Sequence, residues 1–414
     1  MANNNDNKIL NVPDLRFPEF TGEWSVKSIS DLANVIGGGT PDTTIKSYWN
    51  GNIQWFTPSE IGKTKYVELS LRTITLEGLN NSNAKLLPPY TILLSSRATV
   101  GECSIALQEC ATNQGFQSLI AKNCDIDFLY YLIQTKKKDL IRKACGSTFL
   151  EISANEIRKI HTNVPSNAEQ KKIGALLSLI DKRIETQNKI IEDLKKLKSA
   201  IIEALFCAPK ESMPAKRLSS YSKERKLVKL SDICHRVQTK NIGRQCSQVL
   251  TIAAQYGLVN QEDFFNKTVA SENLEAYYLL QKGDFAYNKS YSGDYAWGAI
   301  KRLERYEHGV LSPLYICFRP DTTKVDADYL TYYFESKKWH KGIADIAGEG
   351  ARNHGLLNIS VIDFFNTIHR IPDLDEQKNI AQVINSLSSK LSCEQHIMQS
   401  LTTQRNYLLH EMFI

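Results

Sequence analysis

The longest regular pattern in the chain is a 4,3 alternation of apolar positions that occurs twice. In the first run Ile173, Leu177, Ile180, Ile184, Ile191, Leu194, Ile201 and Leu205 keep the spacing, and Gln187 and Lys198 occupy two of its positions. In the second, Ile380, Ile384, Leu387, Leu391, Met398, Leu401, Leu408 and Met412 repeat it, with Glu394 and Arg405 as the polar members. Heptad spacing sustained over this length predicts two coiled-coil helices rather than two core helices. Each would be about 60 Å long at about 1.5 Å per residue. The polar interruptions fall at equivalent places, which predicts that each helix is the other's partner. Antiparallel pairing is expected, because it gives the repeat pseudo-twofold symmetry. Full antiparallel overlap would pair Ile173 with Met412 and set Lys198 against Leu387. A shift of one heptad sets Lys198 against Glu394 and Arg405 against Gln187, and so gives the ammonium a carboxylate instead of a leucine. The shifted register is the expected one.

The helices are part of a larger duplication. Pro165-Ser-Asn-Ala-Glu169-Gln170-Lys-Lys-Ile173 returns as Pro372-Asp-Leu-Asp-Glu376-Gln377-Lys-Asn-Ile380. Upstream, Asp127-Phe-Leu-Tyr-Tyr-Leu-Ile-Gln-Thr-Lys136-Lys137 matches Asp328-Tyr-Leu-Thr-Tyr-Tyr-Phe-Glu-Ser-Lys337-Lys338, Val26-Lys27 matches Val228-Lys229, and Ile152-Ser153 matches Ile359-Ser360. Four matches in one order predict two copies of one globular domain, each followed by a long helix. Within each copy, short β-rich runs such as Tyr90-Thr-Ile-Leu-Leu-Ser and Pro313-Leu-Tyr-Ile-Cys-Phe are separated by turn formers, including Gly37-Gly38-Gly39-Thr40-Pro41 and Tyr291-Ser-Gly-Asp. Helices are expected near 127–144 and 326–341. The class is α+β. The expected boundaries are a first domain over 1–164, a long helix over 165–206, a polar linker over 207–226, a second domain over 227–371 and a second long helix over 372–414.

Composition narrows the chemistry. A net charge of +6 permits a polyanionic partner without requiring one. The nine cysteines never occur as Cys-x-x-Cys, and the eight histidines form no His-x-x-x-His pair, so no metal and no disulfide framework is expected. No apolar run is long enough to cross a bilayer and the first residues are polar, which points to the cytoplasm and away from membranes. Gly37-Gly38-Gly39-Thr40 lacks the Lys-Ser/Thr of a phosphate loop and is expected to form a tight turn. Leu87-Pro88-Pro89-Tyr90 resembles the Pro-Pro-Tyr site of amino-methyltransferases, but Leu87 cannot accept a hydrogen bond from a target amine. No Gly-x-Ser-x-Gly elbow occurs. An enzyme is not expected.

The chain resembles specificity subunits of type I restriction–modification systems. The resemblance rests on Leu15-Arg-Phe-Pro-Glu-Phe-Thr-Gly-Glu-Trp24, Gly38-Gly39-Thr40-Pro41, Ser95-Ser96-Arg97-Ala98-Thr99-Val100-Gly101 and Asn113-Gln114-Gly115-Phe116 in the first copy. The second copy contributes Gly283-Asp284-Phe-Ala-Tyr287-Asn288-Lys289-Ser290-Tyr291-Ser292 and Gly298-Ala-Ile-Lys-Arg302, and Glu-Gln-x-x-Ile opens both long helices. It implies two target-recognition domains, each reading half of an asymmetric, interrupted site in double-stranded DNA. The helices would separate the domains and dock two methyltransferase subunits. Those subunits would bind S-adenosylmethionine and methylate adenine N6, and two restriction subunits would use ATP. No cofactor is expected on this chain. Side-chain chemistry selects Arg97, Asn113, Gln114, Ser147 and Thr148 in the first domain as base or phosphate contacts. In the second it selects Lys289, Ser290, Tyr291, Ser292, Arg352, Asn353 and His354. Asn113 and Gln114 could instead cap the strand Phe116–Ile120, and Lys136–Lys138 with Lys337 and Lys338 could be phosphate contacts or solvated helix ends. A rival reading is a coiled-coil scaffold with two protein-binding heads and no DNA readout. A second is a stand-alone modification enzyme.

Overall fold

Pro165 and Pro372 cannot donate backbone hydrogen bonds, and immediately beyond them the chain winds into two long helices, Asn167–Leu205 and Leu374–Glu411. The computed structural model describes residues 11–146, 150–253, 257–265, 273–290, 295–347 and 356–414. Every position of both heptad patterns is buried or half-buried, as a 3.5-residue period requires of a seam. The Glu-Gln pair that opens each helix has a defined task. Gln170 Nε2 donates to Pro165 O at 2.9 Å, and its Oε1 accepts from the Asp125 amide at 2.9 Å. Gln377 makes the same two bonds, to Pro372 O at 2.9 Å and from the Asp326 amide at 2.8 Å. Asp125 and Asp326 in turn cap the short helices Ile126–Thr135 and Ala327–Glu335 through their side chains. Glu169 and Glu376, both 1 % exposed, accept bidentate bonds from Arg16 and Arg217.

The chain divides into two units. One comprises Met1–Lys189 with His396–Ile414, the other Ile190–Gln395, so each unit contains one end of both long helices. The first unit holds a five-stranded sheet in the order Ala33–Gly37, Gln117–Ala121, Ile92–Leu94, Cys103–Ala106, Tyr66–Val67. Beside it are a three-stranded sheet (Arg72–Ile74, Trp49–Phe56, Cys110–Thr112) and the pair Ser25–Ser28 with His161–Val164. The second unit has a four-stranded sheet in the order Cys234–Arg236, Ile316–Pro320, Phe285–Asn288, Ala299–Arg302. Its strands match the first four of the other sheet one for one. Lys226–Lys229 pairs with Ile368–Ile371 as Ser25–Ser28 does with His161–Val164. The architecture is α+β with an internal repeat, as the pattern predicts.

Within each unit the two helix ends run antiparallel. In the first, Ile173, Leu177 and Ile180 share a core with Leu408 and Met412. In the second, Ile202 and Leu205 share one with Ile380 and Ile384. This pairing is close to full overlap, and it overturns the shifted register. In place of Glu394, Lys198 meets Glu335 at 3.2 Å and lies 4.9 Å from the Tyr332 ring. The Tyr332 hydroxyl contacts Asn385 and Ser388, which flank Leu387. In place of Gln187, Arg405 donates to Asp181 at 2.5 Å and to Gln134 at 2.8 Å, and it lies 5.9 Å from the Tyr131 ring. Lys198 thus finds Glu335 on a short domain helix beside the pair, and Arg405 finds Gln134 on the other such helix and Asp181 on the first long helix. No apolar overlap has to be given up for them.

His369 on the last strand is 4 % exposed, with Nδ1 at 2.9 Å from the Tyr333 hydroxyl and Nε2 at 2.8 Å from the Thr367 hydroxyl. Burial lowers its pKa from 6.5 to about 4. A proton therefore binds the unfolded chain more readily than the folded one between those values. The stability it contributes is complete above pH 6.5 and is lost as pH falls toward 4, by up to about 1.4 kcal/mol per pH unit. Urea titrations across this range should show that slope, and His369→Gln should remove it. An unchanged slope in the variant would assign the pH dependence to other groups. Among the described residues no helix is long and apolar enough to cross a membrane.

Candidate nucleic-acid interface

Strand Ile92–Leu94 is fully buried, and the chain leaves it through a tight turn that projects Arg97. Ser95 Oγ donates to Arg97 O at 3.0 Å and lies 3.0 Å from Thr99 Oγ1. Ala98 takes a left-handed φ of 62° to complete the turn. The Arg97 side chain is 46 % exposed, with Nε 3.6 Å from a carboxylate oxygen of Glu151. The backbones of Cys145 and Glu151 exchange two bonds of 2.9 Å, and Ile152 N donates to Ser96 O at 2.9 Å. Ser147 and Thr148, between Cys145 and Glu151, lie outside the described residues.

On the other side of this turn Ser96 N donates to Gly115 O at 2.8 Å, which places Arg97 beside the Asn113–Gln114 segment. The Asn113 carboxamide is already used: its Oδ1 accepts from Gly115 N at 2.8 Å and shapes the turn. Gln114 is exposed, and its Oε1 accepts a hydrogen bond from the Thr40 hydroxyl. Gly38 and Gly39 do not form the expected tight turn. A Cβ on Gly38 would lie 2.0 Å from Asn113 O, and one on Gly39 2.3 Å from Ala84 N. They are glycines because three segments approach closely there.

The second unit repeats the arrangement. Lys289 and Ser290 follow strand Phe285–Asn288, the counterpart of Ile92–Leu94, and both are half-buried. Leu357 N donates to Lys289 O at 3.0 Å, as Ile152 N does to Ser96 O, and Ser290 is bridged to Leu356 as Arg97 is to Glu151. Tyr291, Ser292, Arg352, Asn353 and His354 lie outside the described residues. In both units, then, the turn after the same sheet strand is bonded to the chain that precedes a short helix, Ala154–Arg158 or Val361–Phe365.

Three of the lysines have partners within the chain: Lys136 donates to Ile414 O at 2.9 Å, Lys137 pairs with Glu102, and Lys338 pairs with Glu211 at 3.0 Å. Sequence reasoning passed over Thr40 and Glu151. Thr40 stands inside the quoted Gly38-Gly39-Thr40-Pro41 motif, and Glu151 lies three residues beyond Thr148. Burial pushes the thiols of Cys103, Cys110 and Cys317 up to about 12, far from the thiolate range. No group of three or more His, Cys, Asp or Glu able to hold a metal occurs among the described residues. The described side chains gathered at the turns are hydrogen-bond donors and acceptors, a set suited to reading base edges and phosphates.

Comparison with known proteins agrees with this geometry. Residues 21–196 match the Type I restriction modification DNA specificity domain. The chain is 38 % identical over 189 residues to the type I restriction enzyme MjaIX specificity subunit of Methanocaldococcus jannaschii, covering 44 % of each protein. It is 29 % identical over 188 residues to the EcoR124I/EcoR124II specificity subunit of Escherichia coli, covering 44 % of this chain and 45 % of that one. These alignments span less than half the length of either relative. A similarity of 22 % to the MjaVIII specificity subunit of M. jannaschii runs over 96 % of this chain and 92 % of that protein. The fold is similar to the crystal structure of the type I restriction-modification system S subunit from M. genitalium, with a TM-score of 0.57 and 17 % identity over 97 % of this chain and 99 % of that one. Residues 21–196 thus match a type I restriction modification DNA specificity domain, and along its length the chain is similar to type I restriction–modification specificity subunits.

Proposed function

We propose that this chain reads a bipartite, asymmetric site in double-stranded DNA, one half with each unit, and supplies recognition rather than chemistry. The observation that carries the reading is the duplicated interface. The same turn, bonded to the same following segment, recurs in both units with different side chains, Arg97 in one and Ser290 in the other. Different side chains on one scaffold are what an asymmetric target requires. The chemistry would come from two adenine-N6 methyltransferase subunits with S-adenosylmethionine and from two ATP-dependent restriction subunits. No cofactor is assigned to this chain, and the assembly would work in the cytoplasm.

The test is methylation by parts. The purified chain should bind specific duplex DNA with an affinity that falls as salt rises. It should give no N6-methyladenine with S-adenosylmethionine alone, and should give it once its methyltransferase partner is added. Methylation by the chain alone would reveal an enzyme; DNA affinity indifferent to salt and sequence would favour the scaffold.

Arg97 gives a sharper expectation. Its ion pair with Glu151 is half-exposed on both sides, so it is worth about 0–1 kcal/mol and releases the guanidinium easily. Arg97→Ala should cost about 1–3 kcal/mol of discrimination at one base position, measured on duplexes substituted base by base. Loss spread evenly over all sequences would make Arg97 a phosphate contact, and no change would remove it from the interface.

A further inference from the structure

We infer that Thr40 is a positioning residue for DNA readout: its hydrogen bond holds the Gln114 carboxamide in place to read one adenine in the half-site of the first unit. The inference rests on the DNA-reading function proposed above and names a determinant within it.

Gln114 is exposed, and a glutamine side chain without a partner there would sample several rotamers. The Thr40 hydroxyl hydrogen-bonds to its carboxamide and holds the amide group beside the Gly38–Pro41 segment. Both ends of this bond stand on rigid backbone. Behind Thr40, Gly39 N donates to Thr112 O at 2.8 Å, and the buried Trp55 indole donates to Gly39 O at 3.0 Å. Gly38 and Gly39 are packed too closely against residues 83–84 and 112–113 to admit a side chain. Behind Gln114, Asn113 N donates to Phe56 O at 3.1 Å, and Gly115 is held by Asn113 Oδ1 at 2.8 Å and by Ser96 N at 2.8 Å. A long side chain is thus preorganised at one edge of the interface, level with the turn that carries Arg97.

The carboxamide suits one base. Adenine presents an acceptor at N7 and a donor at N6 in the major groove, which a glutamine amide matches with Nε2 and Oε1 together. Oε1 keeps a second lone pair for N6 while accepting from Thr40. An amide not held in place would form this pair less often, so the Thr40 bond contributes to discrimination at that position.

The experiment is methylome sequencing of a host carrying the full chain and its methyltransferase partner, comparing the unaltered protein with Gln114→Ala, Thr40→Val and Thr40→Ser. Gln114→Ala and Thr40→Val should both relax the same single adenine position of one half-site, by about tenfold or more, and leave every other position intact. Thr40→Ser keeps the hydroxyl and should restore the original motif. The inference is overturned if Thr40→Val leaves the motif unchanged, relaxes several positions together or abolishes methylation, or if Thr40→Ser behaves like Thr40→Val. An unchanged motif in Gln114→Ala overturns it too, while DNA reading by the unit stands if exchange of the whole unit still alters that half-site. If exchange of the unit alters neither half, the function itself fails.

Discussion

Glu376→Ala is expected to destabilise the second unit by about 3–5 kcal/mol, more than the matching change in the first. Glu376 is 1 % exposed and accepts from two guanidinium groups, Arg217 at 2.6 and 3.1 Å and Arg225 at 2.6 Å. The Arg225 side chain is fully buried, and its other nitrogen donates to Leu205 O at 2.8 Å, so it cannot swing out to water. Removing the carboxylate would strand two cations, one without any route to solvent. In the first unit Glu169 holds a single guanidinium, that of Arg16, which is 16 % exposed. The position matching Arg225 is Trp24, 3 % exposed and packed edge-on against Phe128 at 6.2 Å. Glu169→Ala should therefore lose charged hydrogen bonds without burying a bare charge, at about 1.5–3 kcal/mol. Hydrogen exchange on the full-length chain, resolved by unit, distinguishes the two. Equal losses would mean that Arg225 finds another partner.

Phe206→Ala is the second large effect, with an expected loss of about 3–5 kcal/mol. Phe206 follows the last turn of the first long helix. It is wholly buried, with ring centroids 4.9 Å from Tyr329 and 5.8 Å from Tyr333. The cavity would be lined by rigid aromatic rings that cannot collapse into it. Phe413 holds the matching place in the first unit, but it is 7 % exposed and stacks on one ring, Phe128, at 5.3 Å. Phe413→Ala should cost less. Urea unfolding of both variants gives the comparison, and a larger loss at Phe413 would contradict this ordering.

The helices were legible because a heptad pattern is a geometric constraint that survives any choice of partner. Their register was not. The seam pattern pairs polar residues only with the facing helix, whereas Lys198 meets Glu335 and Arg405 meets Gln134 on the domain helices, besides Asp181 on the facing one. Residue spacing along two helices carries no information about a third element packed beside them. The same limit applies at the interface. Polar loops beside apolar strands marked the positions of Arg97, Gln114, Lys289 and Ser290, but whether a side chain faces outward or shapes its own turn is a tertiary property. Asn113 shapes its turn, and Thr40 was passed over because its segment was read as a turn. Its glycines answer instead to close packing against residues 83–84 and 112–113.

The central claim is that each unit reads its own half of the DNA site. The most direct test replaces residues 20–150 by those of a relative with a different target and sequences the adenine methylome produced with the methyltransferase partner. One half of the methylated motif should change and the other should stay as it was. A change in both halves, or in neither, would contradict the account.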